Sequence, residues 1–362
     1  MQQFRDARKG PLALIFAGAL VSSLSAAAAP AAAQEDLTAC RQGVEAREAG
    51  DAELAVASFS RCLEQGGLQF EAVIKTLINR GFAFFDLGRP DEAIEDFSTV
   101  INLAPDYPLA HNLRGVAYFQ TGRYELAIAD FDAALERDPS YLPAYNNRGN
   151  AYLLTRQLDK AIADFDAAIA RDPRYADAYN NRGNAHRARG AYGEALADYE
   201  AALEIDPDFG QARRNRGLAR FLDEDFDGAV ADFEAVLPDE AENPHAFYTA
   251  FWRHIAARRA GHEDAGSELA AWLEGRERKD WPAPLGRYLI GEIGEAALLE
   301  AATAEDPARQ AERRVEAYFY IGEIALAAGD EGKARQSFDA ALETGAESFV
   351  EYLAARAERA RL

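Results

Sequence analysis

The chain has 362 residues, and 39 Lys and Arg against 61 Asp and Glu give a formal net charge of -22. Such an acidic protein is repelled by phosphate, which excludes a charge-driven nucleic-acid or anionic-membrane binder. The length allows two or three domains or one long repeat array, with 49% hydrophobic residues to form a core. A single Met and two Cys leave no material for a cysteine zinc cluster or an iron–sulfur site, so we expect no cofactor and no metal.

Residues 1–33 have the pattern of a secretory signal peptide. A basic start that contains Arg5 precedes an apolar run from Leu12 to Leu24, and an Ala-rich stretch then ends at Ala33. The alternative is a transmembrane anchor, but that requires about 20 apolar residues, more than this run contains. The sequence therefore predicts cleavage near Ala33 and a periplasmic mature chain without a transmembrane span.

Export would place Cys40 and Cys62, the two cysteines of the chain, in an oxidising compartment. An oxidising compartment favours a disulfide between them. In the alternative, Leu37 to Cys40 is a lipobox, the signal after which a bacterial lipoprotein is cut and acylated on its cysteine. Glu35 and Asp36 separate this tetrapeptide from the hydrophobic run, which disfavours lipidation. The mass of the mature protein distinguishes the two.

Glycines recur with a fixed period along the middle of the chain. They are Gly81, Gly115, Gly149, Gly183 and Gly217, each 34 residues after the previous one. An Ala follows each Gly after 12 residues, and an aromatic residue follows each Ala after four. Four of the units close with a proline, at Pro105, Pro139, Pro173 and Pro207. This pattern resembles the tetratricopeptide repeat (TPR), whose unit is a pair of helices.

The residue types of each unit suit two antiparallel helices. The Gly of the first helix and the Ala of the second are small, so the helices approach closely there, and the aromatic side chain fills the space beside them. Proline disfavours helical geometry in the residue before it, so Asp138-Pro139 ends one unit and opens the next. We expect an all-α fold, a TPR helix-pair solenoid. The resemblance implies a right-handed superhelix, here with degenerate C-terminal repeats and a capping helix.

The signal-peptide pattern and the repeat positions of glycine, alanine, aromatic residues and proline divide the chain into five segments. Residues 1–33 are the signal peptide, 34–73 an N-terminal helix pair with the possible disulfide, and 74–241 five TPR units of period 34. Residues 242–303 contain a degenerate helix pair and an extra helix that we expect from about residue 285 to 302. Residues 304–362 contain a last TPR-like pair and the C-terminal capping helix.

The capping helix ends in arginines, among them Arg356, Arg359 and Arg361. Cations at a helix C-terminus are favoured by the helix dipole, which is the preferred explanation. A partner-binding patch is the alternative.

The sequence contains no recognisable catalytic motif. It lacks the phosphate-binding loop, H-E-x-x-H, G-x-S-x-G and a repeated C-x-x-C. Its five histidines are scattered, and acids such as Glu92 and Asp96 recur on helix faces, where solvation explains them. We expect a protein that binds other proteins and catalyses nothing. An enzyme would require residues from distant repeats to meet.

Asparagines form a ladder on the first helices. The TPR resemblance implies that the fifth and ninth positions of each repeat face a concave groove. Here the fifth are Asn112, Asn146 and Asn180, and the ninth are Asn150 and Asn184. Because an amide both donates and accepts hydrogen bonds, such a row can pair with the backbone of an extended peptide. For the Asn and Arg at the sixth and seventh positions we favour a structural role. We expect these side chains to pair with neighbouring acids, including the Asp before each Pro, and so to join the repeats.

Beyond the repeats, the mature chain is similar to the NlpI-type periplasmic TPR adaptor lipoproteins. The resemblance rests on Tyr288 to Glu292, Phe319 to Glu323 and Ser348 to Glu351, within an exported TPR array. It implies a dimeric adaptor that brings cell-wall endopeptidases to a periplasmic protease. This chain lacks a lipobox directly after the hydrophobic run, so the membrane anchor does not carry over.

Two functions follow from these patterns. The first is an adaptor linking a periplasmic protease with peptidoglycan hydrolases, which would hold folded partners through a broad surface. The second is a chaperone-like module of outer-membrane or polysaccharide export, which would hold unfolded peptides in the Asn groove.

Overall fold

The computed structural model describes residues 37–237, 246–276 and 280–362, and within these ranges all helices are α-helices and no strand occurs. The chain divides into two compact units, one ending at Pro173 and the other beginning at Arg174. The predicted signal peptide, residues 1–33, lies outside the described residues. The all-α fold predicted from the repeats is confirmed.

The N-terminal unit contains four helix pairs, and each pair packs against the next. Its helices are α1 (Thr38–Glu48), α2 (Ala52–Gln65), α3 (Phe70–Asp86), α4 (Pro90–Leu103), α5 (Pro108–Gln120), α6 (Tyr124–Arg137), α7 (Leu142–Leu154) and α8 (Leu158–Arg171). The predicted repeat prolines of this unit, such as Pro105 and Pro139, lie in the turns between pairs, where a missing amide hydrogen costs nothing.

The C-terminal unit begins with two regular pairs, α9 (Ala176–Arg189) with α10 (Tyr192–Ile205) and α11 (Gly210–Leu222) with α12 (Phe226–Val236). Less regular helices follow: α13 (Ala246–Arg259), α14 (Ala265–Leu273), α15 (Ala283–Leu289), α16 (Glu295–Ala301), α17 (Pro307–Ala327), α18 (Glu331–Glu343) and α19 (Val350–Arg361). The last helix, α19, packs against both α17 and α18.

The expected extra helix at 285–302 is two short helices instead, α15 and α16. The chain leaves α15 through Gly291, whose φ of 79° is a left-handed conformation that a continuous helix cannot contain. The sequence prediction missed this break because Gly291 lies within an otherwise apolar, helix-compatible segment.

Each repeat glycine lies directly beneath the aromatic ring of its own helix pair. A Cβ atom added to Gly149 would be 2.6 Å from Cε1 of Phe165, a distance that side chains do not tolerate. The same contact joins Gly43 to Phe59, Gly81 to Phe97, Gly115 to Phe131, Gly183 to Tyr199, Gly217 to Phe233 and Gly322 to Phe338. The aromatic ring therefore packs on the glycine itself, rather than beside a Gly–Ala contact as the sequence suggested.

Replacement of Gly149 by Ala is expected to destabilise the N-terminal unit by about 1–3 kcal/mol through overpacking against Phe165. The matched control is Gly193→Ala in α10, because a Cβ there would meet no atom within 4 Å. Because Gly193 lies in the first turn of α10, that control should change the free energy of unfolding by no more than about 0.5 kcal/mol. Hydrogen exchange of the two helix pairs measures both effects, and a neutral or stabilising Gly149→Ala would contradict the packing account.

Cys40 and Cys62 form a disulfide that joins the start of α1 to the end of α2, with their Cα atoms 5.2 Å apart. Both side chains are buried. The bridge closes the helix pair at one end of the repeat array, where a terminal repeat has only one neighbour to pack against.

Reduction of this disulfide is expected to lower the free energy of unfolding of the first helix pair by about 3 kcal/mol. The bridge joins residues 22 apart in the sequence, and without it the unfolded chain regains the conformational entropy of that loop. The measurement is hydrogen exchange of α1 and α2 with and without reductant. A Cys40→Ser, Cys62→Ser variant should show the weakened exchange protection under both conditions. Unchanged protection after confirmed reduction would contradict the prediction.

Candidate functional site

In the five repeats of period 34, the arginine at the seventh position binds an aspartate of the second helix of its own repeat through two hydrogen bonds. Nε and Nη2 of Arg148 donate to Asp164 at 2.8 and 2.6 Å. The same pairing occurs in Arg80–Asp96, Arg114–Asp130, Arg182–Asp198 and Arg216–Asp232. Two parallel bonds to a carboxylate fix the guanidinium plane as well as its position. We call this pair of hydrogen bonds the arginine fork. It holds the two helices of each of these repeats in register.

The third nitrogen of Arg148 joins its repeat to the preceding one, because Nη1 donates to Asp132 of α6 at 2.5 Å. Arg114 reaches Ser98 of the preceding repeat in the same way. The predicted pairing with neighbouring acids that joins repeats is therefore found for Arg148, with Asp132 as the acid of the preceding repeat. The part of the prediction that named the aspartate before the proline does not hold at Asp138. The aspartate before the proline, Asp138, instead accepts hydrogen bonds from the backbone and hydroxyl of Ser140 and so shapes its own turn.

Buried amide pairs also join successive repeats. Nδ2 of Asn147 donates to Oδ1 of Asn112 at 3.0 Å in the N-terminal unit, and Nδ2 of Asn215 donates to Oδ1 of Asn180 at 2.9 Å in the C-terminal unit. Asn112 is 0% and Asn180 2% exposed. These two side chains therefore hold repeats together and do not offer their amides to a peptide in an open groove, which corrects the sequence interpretation.

The remaining predicted groove residues differ in exposure. Asn146 and Asn184 are buried, and Asn184 accepts a hydrogen bond of 2.9 Å from the hydroxyl of Tyr199 within its own repeat. Asn150 is half-buried. Four of the five asparagines predicted to bind a peptide are therefore buried. The fifth, Asn150, keeps its side chain partly open to solvent. Peptide binding by Asn150 stays a prediction.

In the C-terminal unit, the first helices of the irregular repeats carry aromatic and acidic side chains at the second, fifth and ninth positions. Counted from Gly322 as the eighth position, Glu316 and Glu323 are the second and ninth residues of the last repeat. In the degenerate pair, Tyr248 and Trp252 occupy the fifth and ninth positions when Phe251 replaces the eighth-position glycine. All of these belong to first helices, α13 and α17. The sequence does not reveal that these acids are buried, although the register from Gly322 gives the repeat positions of Glu316 and Glu323.

Helix α19 packs onto this surface and is held there by its arginines. Arg361 donates to the backbone carbonyl of Leu222 at the end of α11 and pairs with Glu224 at 3.2 Å. Arg359 pairs with Asp339 of α18 at 2.6 Å. These arginines therefore anchor α19 within its own unit, which the helix-dipole explanation did not anticipate. The alternative of a partner-binding patch is not supported for either residue.

Four buried carboxylates belong to α17 and α19, and we describe them as two pairs. Each pair has one residue on α17 and the other on α19. In the first pair, Nη1 of Arg259 donates to Glu323 at 2.9 Å and to Glu358 at 3.2 Å. In the second pair, Glu316 accepts from Nε1 of Trp281 at 2.6 Å and from the hydroxyl of Tyr248 at 3.1 Å, while Glu351 lies in α19. All four carboxylates are buried.

Burial shifts the protonation of these groups because removal of water disfavours a charged carboxylate. It raises the pKa of Glu323 to about 8, and the charge of Glu358 adds to this rise while Arg259 opposes it. Burial raises the pKa of Glu351 to about 7. The pKa of Glu316 is raised well above its ordinary value by burial and then by the charge of Glu351.

The stability of the C-terminal unit should fall as the pH rises. The raised pKa of Glu323, about 8 instead of 4.5, means that the folded state holds a proton which the unfolded state releases. This contribution is therefore complete below about pH 4.5 and is lost as the pH rises through about 8. Urea unfolding followed by Trp fluorescence measures it, because Trp252, Trp272 and Trp281 all lie in this unit. A Glu323→Gln variant should flatten the profile, and an equally steep profile in that variant would contradict the assignment.

The described ranges contain no group of three or more His, Cys, Asp and Glu side chains arranged to hold a metal ion. Among the helices of the described residues, none has the length and hydropathy needed to cross a bilayer.

Comparison with protein-family models identifies repeats along both units. Two models, each described as tetratricopeptide repeat, match the chain: one at residues 79–141 and 290–349, the other at 143–175 and 176–209. Together the matched segments cover more than half of the 362 residues. The second segment of the first model includes the irregular C-terminal region with Glu316 and Glu323.

Solved structures also resemble the chain. A thermophilic TPR protein from Thermus thermophilus is 25% identical, with a TM-score of 0.42, over 51% of this chain and 98% of its own. MamA from Desulfovibrio magneticus RS-1 is 22% identical, with a TM-score of 0.43, over 48% and 97%. A tetratricopeptide repeat protein from Parabacteroides merdae ATCC 43184 is 18% identical, with a TM-score of 0.48, over 78% and 98%. With each TM-score below 0.5, these similarities carry no inference about function.

Proposed function

Because this chain belongs to the tetratricopeptide repeat family, a family of protein- and peptide-binding scaffolds, we propose that it is a non-catalytic adaptor of the bacterial envelope that links a periplasmic protease with peptidoglycan hydrolases. The observation that carries the proposal is the tetratricopeptide repeat match in both parts of the chain, at residues 79–141, 143–175, 176–209 and 290–349. Tyr248 is half-buried and keeps aromatic surface that a protein partner could cover, whereas Trp252 and Glu316 are buried.

The alternative, a chaperone-like module, depends on asparagines that meet the backbone of an unfolded peptide. Asn112 and Asn180 are buried, and the side-chain oxygen of each already accepts a hydrogen bond from the next repeat, so a peptide backbone cannot reach them in an open groove. This burial favours the adaptor over the peptide-binding module. The similarity to NlpI-type adaptors at Phe319 to Glu323 supports the same choice, because that segment contributes to the carboxylate pairs.

The periplasm is the proposed compartment. Support comes from the signal-peptide pattern that ends at Ala33 and from the disulfide between Cys40 and Cys62, which an oxidising compartment maintains. The mass of the protein purified from cells tests both points. A mature chain that begins near Gln34 with the two cysteines oxidised would support the proposal, and an acylated Cys40 would replace it with a lipoprotein.

The test of function is affinity purification from a cell-envelope extract at moderate salt, with the mature chain from Gln34 as bait and mass spectrometry as readout. Joint enrichment of a periplasmic protease and cell-wall hydrolases supports the adaptor. Recovery of unfolded outer-membrane or export components supports the chaperone-like module. A Tyr248→Ala bait tests the C-terminal groove positions, and an Asn150→Ala bait tests the remaining exposed asparagine.

The proposed adaptor is a homodimer, by similarity to the same group of proteins. Light scattering of the mature chain after size-exclusion chromatography tests this directly. A mass of one chain at micromolar concentration would remove the dimer from the proposal without affecting the adaptor role.

A further inference from the structure

Helix α19 contacts helices that lie well before it in the chain. Arg361 donates to the backbone carbonyl of Leu222, 139 residues earlier at the end of α11. Glu358 accepts a hydrogen bond of 3.2 Å from Arg259 at the end of α13, and α19 also packs against α17. A helix that only capped the last pair would contact that pair alone, because each repeat of a solenoid meets only its neighbours. Helix α19 therefore crosses the first helices of several repeats.

The surface beneath α19 offers partners of both charge signs. We call it the helix groove; it is formed by α11, α13 and α17 and is defined by Leu222, Arg259 and Glu323, one residue from each helix. Arg259 offers a cation to Glu358, while the carbonyl of Leu222 and the carboxylate of Glu224 accept Arg361, the latter at 3.2 Å. The helix groove thus receives an acid at one place and a base at another.

One side of α19 is buried. Its buried residues are Glu351, Ala354, Ala355 and Glu358, at positions i, i+3, i+4 and i+7 of the helix. This spacing places them on a single face, which Arg361 extends because it follows Glu358 by three residues. The face consists of two acids seven residues apart, two small residues between them and a base after the second acid.

This face gives α19 a specific attachment rather than a strong one. Its fully buried apolar part is two alanines, each with one methyl group, whereas the buried face of α17 includes Phe319 and Ile321. Its charged part contributes little net stability, because the attraction between buried ions is offset by the loss of their hydration. An incorrect helix would leave one of these charges unpaired, which is costly. The groove therefore accepts a replacement only if it carries the same charges.

Helix α19 can leave the groove without unfolding the helices beneath it. Phe349 lies directly before α19, is 5% exposed and packs into the main core cluster of this unit. Its ring can stay in place and hold the chain there when α19 moves. The exchange therefore involves residues 350–362 alone.

We propose that the helix groove is a docking site for a helix of a protein partner, which binds by replacing α19. The partner helix has the face that α19 has: two acids seven residues apart, small residues between them and a base three residues after the second acid. The second acid meets Arg259, and the base meets Leu222 and Glu224. This inference rests on the proposed function and deepens it, because it names the kind of segment by which the adaptor holds a partner.

The connection to α18 gives α19 an advantage over a separate helix of equal affinity. A segment on a short linker has an effective concentration in the range of about 1 mM. An isolated α19 peptide should therefore bind the native chain poorly, and it should bind much better once the chain's own α19 is displaced. A natural partner overcomes the advantage through further contacts outside the groove.

The probe is a fluorescently labelled peptide of residues 346–362, and fluorescence anisotropy measures its binding. The variant Ala354→Glu with Ala355→Glu places large charged side chains at positions that are 0% exposed, which should displace α19 while leaving every groove residue unchanged. This double variant should bind the peptide at least tenfold more tightly than the native mature chain. The matched control, Ala360→Glu on the exposed side of α19, should bind it like the native chain.

Hydrogen exchange shows whether α19 has left the groove. The double variant should exchange fast over residues 350–361 and keep the protection of α11, α13 and α17. If α19 stays protected, or if it is released and the peptide binds no more tightly, the inference is overturned.

A measurement on the native chain avoids any risk that the double variant folds poorly. An isotopically labelled peptide at about 5 mM, above the effective concentration of the tethered helix, should accelerate exchange of the chain's own α19. Unchanged exchange at that concentration would contradict the inference.

Charge reversal in the peptide tests how the groove recognises a helix. Glu358→Lys in the peptide places a cation against Arg259 and should weaken binding to the double variant at least tenfold. The matched peptide with Ala360→Glu should bind like the native peptide. Equal binding of the native and Glu358→Lys peptides would refute recognition by charge.

The other candidate occupant of the groove is α19 of a second copy of this chain. Light scattering distinguishes it from a different partner. If the native chain is a dimer that both the double substitution and the peptide convert to a monomer, the second copy occupies the groove and the inference is overturned.

Partner capture separates failure of this inference from failure of the proposed function. From an envelope extract, the double variant should retain partners more strongly than the native chain, and the native peptide, but not its Glu358→Lys form, should elute them. If both baits retain the same partners and the peptide elutes none, the groove assignment is wrong and the adaptor remains. If neither bait retains a protein, the proposed function itself fails.

Discussion

Replacement of Arg148 by Met is expected to destabilise the N-terminal unit by about 3–5 kcal/mol, the usual cost of removing one partner from a buried ion pair. The reason is the carboxylate left behind. Burial raises the pKa of Asp164 even with Arg148 in place, so without the two hydrogen bonds the ionised group would lie uncompensated between two helices. The change also removes the contact with Asp132 of the preceding repeat. Hydrogen exchange of α7 and α8 measures the loss.

The control separates the missing charge from missing packing. In the double variant Arg148→Met, Asp164→Leu, no buried charge remains, and most of the lost stability should return because apolar pairs of similar volume replace buried ion pairs at little cost. A single variant that loses less than about 1 kcal/mol would show that the fork is no stronger than a surface ion pair.

The second large effect is expected at the other end of the chain, where replacement of Arg259 by Met should release α19. Arg259 donates hydrogen bonds to two buried carboxylates on different helices, Glu323 and Glu358, and is the cation hydrogen-bonded to Glu323, whereas Glu358 is also bound by Arg361. Its loss should cost about 3–5 kcal/mol and should appear as faster hydrogen exchange over residues 350–361. The effect should be larger at pH 8 than at pH 5, because Glu323 can hold a proton at the lower pH.

A matched control lies on the same helix. Arg253 also binds two carboxylates, Glu234 and Glu268, but these are 51% and 45% exposed. Arg253→Met should therefore cost no more than about 1 kcal/mol. Equal losses for the two variants would show that burial of the carboxylates does not determine the strength of the contact.

Together these contacts show how the repeats stay in register. The glycine and the aromatic ring set the distance between the helices of a pair, since the ring of Phe165 leaves no room for a side chain on Gly149. The arginine fork fixes the rotation of the pair, because its two hydrogen bonds to Asp164 are geometrically specific. The amide pair of Asn112 and Asn147 then joins one repeat to the next. The ring contact and the arginine fork recur with the period of the sequence, and the amide pair recurs as Asn180 with Asn215.

The candidate site was much less predictable than the repeats. The expected ladder of groove asparagines was inferred from repeat positions alone, and those positions do not reveal whether a side chain is covered by a neighbour. Asn112 is covered, because Asn147 of the next repeat bonds to it. The burial of Glu316 and Glu323 could not be predicted, because acids are common on the surfaces of this chain and nothing in the local sequence distinguishes a buried glutamate from a solvated one.

The amino-acid pattern alone was enough to establish the all-α class, the helix-pair unit and its period, because glycine, alanine, aromatic and proline residues at fixed spacing act within a single unit. Their effects are local, and each copy repeats the signal. The folded structure was needed to find the partners of Arg148, the burial of Asn112 and Asn180, and the contact of Arg259 with both Glu323 and Glu358. Those contacts join residues far apart in the chain, and the identity of a residue does not state how much water its neighbours remove. The removal of water beneath α19 raises the pKa of Glu323, and only the folded protein shows which side chains cause it.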